Sequence, residues 1–185
     1  MQDVRRLEPI PAGNLNQDSL YEQAADSYSA ALDRLARAYE SDPEARRDLL
    51  QEIHLQLWRS FAQFDCRCSL RTWVYRVAHN VATGHTVRQR RIREKLVSIE
   101  SIESIPGGDQ GELAASQAEA LHRLSLLIQG LQPLDRQIII SYLEGMDAAS
   151  TSEITGLSPA NVAMKVHRIK HVLRRWFHEG GPHAK

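Results

Sequence analysis

The chain has 185 residues with 23 basic and 23 acidic side chains, so its formal net charge of +0 indicates no particular partner. Its hydrophobic fraction of 42% is enough for packed cores, and its length allows one ordinary domain or two small ones. No apolar run approaches the roughly 18 residues that a membrane span needs, and no apolar signal segment begins the chain. With only two cysteines, Cys66 and Cys68, the sequence predicts a cytoplasmic protein in a reducing setting, without membrane insertion of its own.

Charge is distributed unevenly along the chain. The first 60 residues contain eleven acidic residues against seven arginines. Residues 86–95 carry a single acid, Glu94, beside Arg88, Arg90, Arg91, Arg93 and Lys95. A neutral chain with one acidic end and basic patches elsewhere indicates two kinds of partner.

Three helices are predicted for residues 19–96, after a lead-in (residues 1–18) whose proline and glycine content indicates flexibility. The first is expected to end at Ser41-Asp42-Pro43, where a cap followed by proline also begins the second helix, which ends near Phe61. The buried row predicted for the second helix is Leu49, Ile53 and Leu57, with Leu50 and Trp58 beside it. A connector at residues 63–69 precedes the third helix. That helix has the clearest amphipathic pattern of the chain, with an apolar row of Leu70, Trp73, Val74, Val77, Ala78 and Val81.

A linker is predicted for residues 97–115, because the helical pattern stops near Val97 and several Ser, Pro and Gly residues follow. The hydrophobic cores on its two sides are therefore expected to be separate. Residues 116–178 predict a second helical module, in which Pro133 divides two helices, and residues 179–185 predict a frayed tail. The expected fold class is all-α, with two small helical modules joined by a flexible linker and the second ending in a helix-turn-helix.

The stretch from Ser150 to Phe177 has the pattern of a helix, a tight turn and a longer helix. Gly156 suits the positive φ that closes the first helix, Ser158 suits the N-cap of the second, and Pro159 suits its first position. The second helix has an apolar stripe, and no acidic residue occurs from Val162 to Trp176. A helix of this kind after such a turn predicts contact with the major groove of DNA. The alternative is a solvated basic helix that closes a small bundle.

The order of these motifs resembles the extracytoplasmic-function (ECF) sigma factors of the sigma-70 family, which keep only regions 2 and 4. The run Asp48 to Ile53, continuing to Leu57-Trp58-Arg59, is similar to the family's D-L-V-Q-E-V…L-W-R. Phe64 followed by Leu70 to Asn80 resembles F…F-R-x-W-L-Y-R-I-A-x-N. The run Leu131 to Gln137 resembles L-x-x-L-P-x-x-x-R with the proline displaced. The resemblance covers about residues 19–95 and 116–177.

The resemblance implies a function and a set of partners. An ECF sigma factor binds core RNA polymerase, through its β′ clamp helices and its β flap. It then directs the polymerase to promoter DNA, opens the −10 element and starts transcription. An anti-sigma factor normally holds such a protein inactive. The resemblance implies neither an enzyme activity nor a cofactor.

Three sets of residues follow from the resemblance and from the helix patterns. Those expected to bind core polymerase are Asp48, Leu49, Gln51, Glu52 and Gln56. Those expected to bind the −10 element are Phe64, Arg71, Tyr75, Arg76, Asn80, Arg88, Arg90 and Arg91. Those expected to bind the −35 element are Ser158, Asn161, Lys165, Arg168, Lys170 and Arg174. For the first set, a solvated acidic helix face remains the alternative.

Individual roles are assigned by chemistry. Aromatic rings and cations hold melted bases and their phosphates, so Tyr75 and Arg76 are expected to touch DNA. Trp73 lies on the apolar row and is expected in the core. Asn161 and Lys165 are expected to face base edges, and the later cations of the last helix are expected to contact phosphates.

Two other classes of protein remain open. A helix-turn-helix regulator that does not dock on polymerase accounts for the second module, but it leaves the aromatic and basic third helix without a role. A metal-dependent enzyme would use His54, Cys66, Cys68, His79 and His85, whose spacing is not that of a standard zinc site. For the cysteines, a redox-sensing role is the alternative to a plain pair of loop thiols.

Overall fold

The computed structural model describes residues 17–96 and 112–179, and most of the predicted lead-in, linker and tail lies outside these ranges. Within them the chain forms seven helices and no strand, which confirms the all-α class. The helices are α1 (Gln17–Tyr39), α2 (Pro43–Phe61), α3 (Leu70–Leu96), α4 (Glu112–Gln129), α5 (Pro133–Leu143), α6 (Ala148–Thr155) and α7 (Pro159–Glu179). Helix α4 thus begins inside the range predicted as linker.

Local capping chemistry places the helix ends where the sequence predicts them. Asp42 accepts a hydrogen bond at 2.8 Å from a backbone N–H of the first turn of α2, and Pro43 is the first residue of that helix. Gly156 ends α6 with a φ of 75°, a backbone conformation that glycine adopts without steric cost. At the start of α7, Ser158 accepts a hydrogen bond from the Asn161 N–H at 3.3 Å.

Helices α1, α2 and α3 pack around an apolar core. Leu35 of α1, Leu49 and Ile53 of α2, and Val74 and Ala78 of α3 each have 0% exposure. Burying side chains of the Leu, Ile and Val type contributes about 1.5–3 kcal/mol each. This core fixes the rotation of α2 and α3, and so decides which of their polar residues reach the surface.

The second module packs α5, α6 and α7 together with α4. Ile138 of α5 and Val162 and Ile169 of α7 are buried, and Met146 is buried in the turn between α5 and α6. The apolar stripe predicted for the last helix therefore faces this core, and the basic residues of α7 point elsewhere.

The expectation of separate cores is wrong, because the two modules pack against each other. The buried side chains of both modules belong to one cluster. Between the modules, the Arg136 guanidinium lies 5.1 Å from the centre of the Tyr39 ring, and His79 is hydrogen bonded to Ser141 at 3.3 Å. The Gln129 side chain also donates a hydrogen bond to a backbone carbonyl of α1 at 2.9 Å. Long-range side-chain partners of this kind leave no periodic signal in the sequence.

Candidate polymerase- and DNA-binding surfaces

The outward face of α2 carries most of the residues expected to bind polymerase. Asp48 and Gln51 are exposed, and Glu52 and Gln56 are half-buried. Leu49 does not lie on this face, since its side chain is wholly buried in the core. It therefore stabilises the helix from within and offers no atom to a partner.

Sequence analysis missed two apolar side chains on α2. Leu55 is 46% exposed and Trp58 is 40% exposed, although the apolar pattern had placed Trp58 beside the buried row. The Trp58 indole donates a hydrogen bond to Asp18 of α1 at 2.8 Å, which fixes the ring at the surface. Leu55 lies one turn from Gln51 and Glu52, so α2 presents an apolar patch inside an acidic face. Their exposure could have been predicted from the sequence, because neither Leu55 nor Trp58 falls on the buried row of Leu49, Ile53 and Leu57.

The loop before α3 holds an aromatic cluster. The Phe64 ring is 5.2 Å from the Trp73 ring and 6.2 Å from the Phe61 ring, between centres. The Trp73 indole donates a hydrogen bond to the Ser60 hydroxyl at 2.9 Å. Trp73 is thus packed against the core, as predicted, and Phe64 is half-buried beside it.

Tyr75 is not available to DNA in this structure. Its side chain is 1% exposed, and its hydroxyl donates a hydrogen bond to the Glu144 carboxylate at 3.2 Å. Burial, with the negative charge of Glu144, raises the pKa of Tyr75 to about 12. The prediction that Tyr75 touches DNA therefore does not hold for this conformation, because the second module covers it.

Two of the arginines expected at the −10 element are also hydrogen bonded to the second module. Arg71 donates a hydrogen bond to the backbone carbonyl of Glu144, and its guanidinium lies 5.8 Å from the centre of the Tyr75 ring. Arg76 donates to the backbone carbonyl of Glu153 in α6 at 3.1 Å. Both side chains are half-buried. The N-terminal half of α3 thus contacts the α5–α6 turn and α6 instead of solvent.

The rest of the −10 set lies further along α3 and is more open. Asn80, Arg88 and Arg90 are exposed. Arg88 pairs with Glu52 of α2 at 2.5 Å, so it joins the predicted DNA surface to the predicted polymerase surface. The backbone of Arg91 continues α3, while its side chain is outside the described part of the chain.

At the start of α7, the capping residue Ser158 and the first-turn residue Asn161 are exposed, and Arg168 and Arg174 are exposed further along the helix. Lys165 is instead half-buried and pairs with Asp135 of α5 at 2.6 Å. This pairing draws its ammonium group towards α5, which the sequence did not predict.

Two further side chains complete the description of α7. Lys170 lies 5.0 Å from the centre of the Tyr142 ring and donates a hydrogen bond to its hydroxyl at 3.2 Å. Met164, which sequence analysis passed over, is 63% exposed between Asn161 and Arg168. An exposed apolar side chain on a face of polar and basic residues is an additional candidate for base contact.

The His and Cys residues considered for an enzyme do not come together. No group of three or more His, Cys, Asp or Glu able to hold a metal ion occurs among residues 17–96 and 112–179. Cys66 and Cys68 are free thiols, and burial raises the pKa of Cys68. In the described parts of the chain, no helix is both long and apolar enough to cross a membrane.

Comparison with known proteins shows the family to which the chain belongs. The sigma-70 region 2 family model matches residues 24–92, and the sigma-70 region 4 model matches residues 121–171. The ECF RNA polymerase sigma factor SigX of Bacillus subtilis is 25% identical over 154 residues, which cover 81% of this chain and 79% of SigX. The ECF RNA polymerase sigma factor SigC of Mycobacterium tuberculosis is 27% identical over 137 residues, 74% of this chain and 72% of SigC.

Two solved structures share the fold. RpoE of Bartonella quintana, in complex with the anti-sigma factor NepR, matches with a TM-score of 0.64 and 18% identity, over 84% of this chain and 94% of RpoE. CnrH, in complex with the cytosolic domain of CnrY, matches with a TM-score of 0.61 and 19% identity, over 89% of this chain and 90% of CnrH. The chain belongs to the sigma-70 family and is an RNA polymerase sigma factor of the ECF type.

Proposed function

We propose that this sigma factor acts in the cytoplasm, where it docks on core RNA polymerase through α2 and reads promoter DNA with α3 and α7. It contributes binding and DNA opening, and the chemistry of RNA synthesis belongs to the polymerase. The observation that carries the proposal is the outward face of α2, where exposed Leu55 and Trp58 adjoin acidic and amide residues. A regulator that binds DNA alone has no use for such a face.

The first contact is proposed between α2 and the β′ clamp helices of polymerase. Asp48, Gln51 and Glu52 supply charge and hydrogen-bonding groups, and Leu55 supplies apolar area near the centre of the patch. An apolar centre with a polar rim is the usual anatomy of a protein interface. An α-helical partner that is basic and partly apolar fits this surface.

The second contact is proposed between the region 4 module and the β flap. A groove of about 390 Å³ runs between α4, α5 and α7. Leu124, Ile139 and Leu173 line its floor, and Lys170 and His171 line its rim. This apolar groove with a basic rim suits an amphipathic segment that carries acidic residues.

Promoter contacts are divided between two helices. On α3, the exposed residues Asn80, Arg88 and Arg90 are proposed to contact the −10 region, with Phe64 close to the melted bases. Contact by Arg71, Tyr75 and Arg76 requires the second module to move away first, because that module now binds all three.

On α7, Asn161 is proposed to read a base edge of the −35 element, and Met164 to contact a thymine methyl group. Arg168 and Arg174 are proposed to contact phosphates, which sets affinity and salt dependence. Lys165 is proposed to turn from Asp135 to a base edge on binding DNA.

An anti-sigma factor is proposed as the inhibitor of this protein. The support is that one of the solved structures described above, RpoE with NepR, is a complex of a sigma factor with an anti-sigma factor. The groove between α4, α5 and α7 and the outward face of α2 are the surfaces that such an inhibitor would cover.

The test is transcription in vitro with purified core polymerase and a pool of randomised promoters. We expect specific start sites only when the protein is added, and the enriched templates then give both promoter elements.

A matched pair of variants tests the α2 surface. Leu55→Asp is expected to abolish binding to core polymerase. Leu126→Asp on α4, which changes a side chain of the same 46% exposure, is expected to retain binding. Wild-type protein that binds DNA but not core polymerase would favour the helix-turn-helix regulator.

A further inference from the structure

The loop between α2 and α3, residues 62–69, carries both cysteines of the chain, Cys66 and Cys68. Both are free thiols, of which Cys66 is exposed and Cys68 is half-buried. The proposed function uses Phe64 of this loop but gives neither thiol a role. Two thiols separated by a single residue can form an intramolecular disulfide where the backbone brings them close enough.

The backbone of the 62–69 loop favours such a pairing. A disulfide needs Cα atoms about 4.4–6.8 Å apart, whereas two residues of fully extended chain span about 7 Å. The chain bends at residues 66–68, which shortens that span. Cys66 has a φ of 59°, and no other residue besides glycine has a positive φ in the described parts of the chain. Asp65 helps to hold this strained conformation, because its carboxylate accepts a hydrogen bond from the Arg67 N–H at 3.2 Å and pairs with the Arg67 guanidinium at 2.9 Å.

The two thiols differ in the way that a two-step oxidation requires. Cys66 is exposed and can meet a dissolved hydroperoxide, whereas Cys68 is half-buried, and burial raises the pKa of its thiol. In the first step the Cys66 thiolate attacks one oxygen of hydrogen peroxide, the O–O bond breaks, and a sulfenic acid forms. The second oxygen leaves as water with the proton that the Cys66 thiol has lost. In the second step the Cys68 sulfur attacks the sulfenic sulfur, the S–S bond forms, and the sulfenic hydroxyl leaves as water with the Cys68 proton.

Contacts of the 62–69 loop connect the thiols to the predicted −10 surface. The Phe64 ring packs against the Trp73 ring at 5.2 Å between centres. At the other end of the loop, the Ser69 hydroxyl caps α3 by accepting a hydrogen bond from the Thr72 N–H at 3.0 Å. A disulfide between residues 66 and 68 closes a small ring, so the residues on both sides of it must shift. Oxidation is therefore expected to weaken the contacts of both Phe64 and Ser69.

We propose that Cys66 and Cys68 form a reversible oxidation site, at which a hydroperoxide converts the two thiols into a disulfide that disturbs the 62–69 loop and weakens capture of the melted bases. The effect on DNA rests on the proposed function, because it requires Phe64 to lie beside those bases. Strained and exposed disulfides are more readily reduced than buried structural ones, and they are the ones used for regulation. A disulfide at this position suits reversal by thiol reductants.

Whole-protein mass spectrometry tests the site directly, because two cysteines allow a single intramolecular pairing. Full-length protein is treated with hydrogen peroxide, and the remaining thiols are then alkylated. Wild type is expected to lose two hydrogen atoms and to resist alkylation, and dithiothreitol is expected to restore both thiols. Cys68→Ser is expected to accumulate a sulfenic acid at Cys66, which dimedone traps, whereas Cys66→Ser is expected to react more slowly. A wild-type protein that gives sulfinic acid or a linked dimer in place of the intramolecular disulfide would overturn the proposal.

Nuclear magnetic resonance of the tryptophan indole N–H groups tests whether the disulfide disturbs the loop. Trp73 packs against Phe64, whereas Trp58 lies on α2 and Trp176 on α7, so the last two serve as internal controls. Oxidation is expected to shift the Trp73 signal and to leave the other two in place. The double variant with Cys66→Ser and Cys68→Ser controls for oxidation of methionine by the same treatment. An unchanged Trp73 signal, or equal shifts of all three signals, contradicts a local effect on the loop.

Transcription separates this proposal from the proposed function. The protein is oxidised alone and the peroxide is removed before core polymerase and promoter templates are added, so that the polymerase is not itself oxidised. Oxidised wild type is expected to initiate about tenfold less than the reduced protein, the order expected for the loss of one stacked base, and the double variant is expected to be unaffected by peroxide.

The remaining outcomes distinguish the two proposals. If oxidised and reduced wild type initiate equally although the disulfide has formed, the sigma activity stands and the control by oxidation fails. If no form of the protein initiates but peroxide forms the disulfide and shifts the Trp73 signal, the oxidation site stands and the sigma activity fails.

Discussion

Acid is expected to destabilise this protein through one buried histidine, His79 of α3. Its side chain has 0% exposure, and its ring nitrogens are hydrogen bonded to the Tyr39 hydroxyl at 3.0 Å and to the Ser141 hydroxyl at 3.3 Å. Burial without a neighbouring negative partner among these contacts lowers the pKa of His79 from 6.5 to about 3. The folded protein therefore keeps this ring neutral at pH values where the unfolded chain protonates it.

The size of the effect follows from this difference in pKa. Between pH 6.5 and about 3 the unfolded chain binds one proton more than the folded protein, so the free energy of unfolding falls as the pH falls. The stabilising contribution is fully present above pH 6.5 and is lost progressively below it. From about pH 7.5 to about pH 5, the expected loss from His79 alone is about 2 kcal/mol. That is a substantial fraction of the 5–15 kcal/mol typical of a folded domain, an order-of-magnitude range.

Urea unfolding at these two pH values, for wild type and His79→Gln, measures the effect. Glutamine keeps a polar group towards Tyr39 and Ser141 but does not titrate. His79→Gln is expected to be less stable than wild type at the higher pH and to lose about 2 kcal/mol less on acidification. Other groups titrate in both proteins, so their contributions cancel in the comparison. An equal loss in wild type and variant would refute the argument.

Three further predictions concern single side chains. Gly156→Ala is expected to lower the free energy of unfolding by about 1 kcal/mol, because the residue has a positive φ. Gly84→Ala, within α3, should raise it by about 0.5–1 kcal/mol, because the added Cβ makes only an ordinary contact of 3.9 Å with the Arg88 side chain; urea unfolding must give opposite signs for the two variants. Asp147→Ala removes the side chain that caps α6 at 2.7 Å and should cost about 1 kcal/mol by the same measurement. In binding to randomised −35 duplexes, Lys165→Ala should change the order of preferred sequences and Arg174→Ala should weaken all alike; uniform losses in both would contradict the assigned roles.

The fold was predictable where its causes are local in sequence. The proline and cap at Asp42-Pro43, the glycine at Gly156 and the cap at Ser158 each act on neighbouring backbone groups, and each appears at the predicted place. The apolar rows of α3 and α7 likewise report burial, because a helix repeats its faces every few residues.

The periodicity of helix faces also shows that the assignment of Leu49 to the polymerase contacts could have been avoided from the sequence alone. Leu49 was placed both in the buried row of α2 and among the polymerase contacts, and only the first assignment agrees with its 0% exposure. The buried row of α2 already indicated that the Leu49 side chain points into the core. The exposed pair Leu55 and Trp58, which falls off that row, was the better choice for a docking surface.

The contacts of Tyr75 and Lys165 could not be predicted from helical periodicity. Tyr75 lies on the polar side of the third-helix pattern, and its partner, Glu144, is 69 positions away along the chain. Lys165 pairs with Asp135, 30 positions away. Such distant pairing depends on how the two modules pack, and amphipathic periodicity describes only single helices.

The chemistry of the α3 surface explains why the α5–α6 turn can occupy part of the predicted −10 surface in this structure. Cations and a phenol hydroxyl at Arg71, Arg76 and Tyr75 indicate a partner rich in oxygen acceptors and negative charge, and DNA is one such partner. The α5–α6 turn is another, because Glu144 supplies a carboxylate and helix ends supply unpaired carbonyls. A sequence pattern therefore indicates what kind of atoms a surface binds, but it does not distinguish a DNA strand from the protein's own second module.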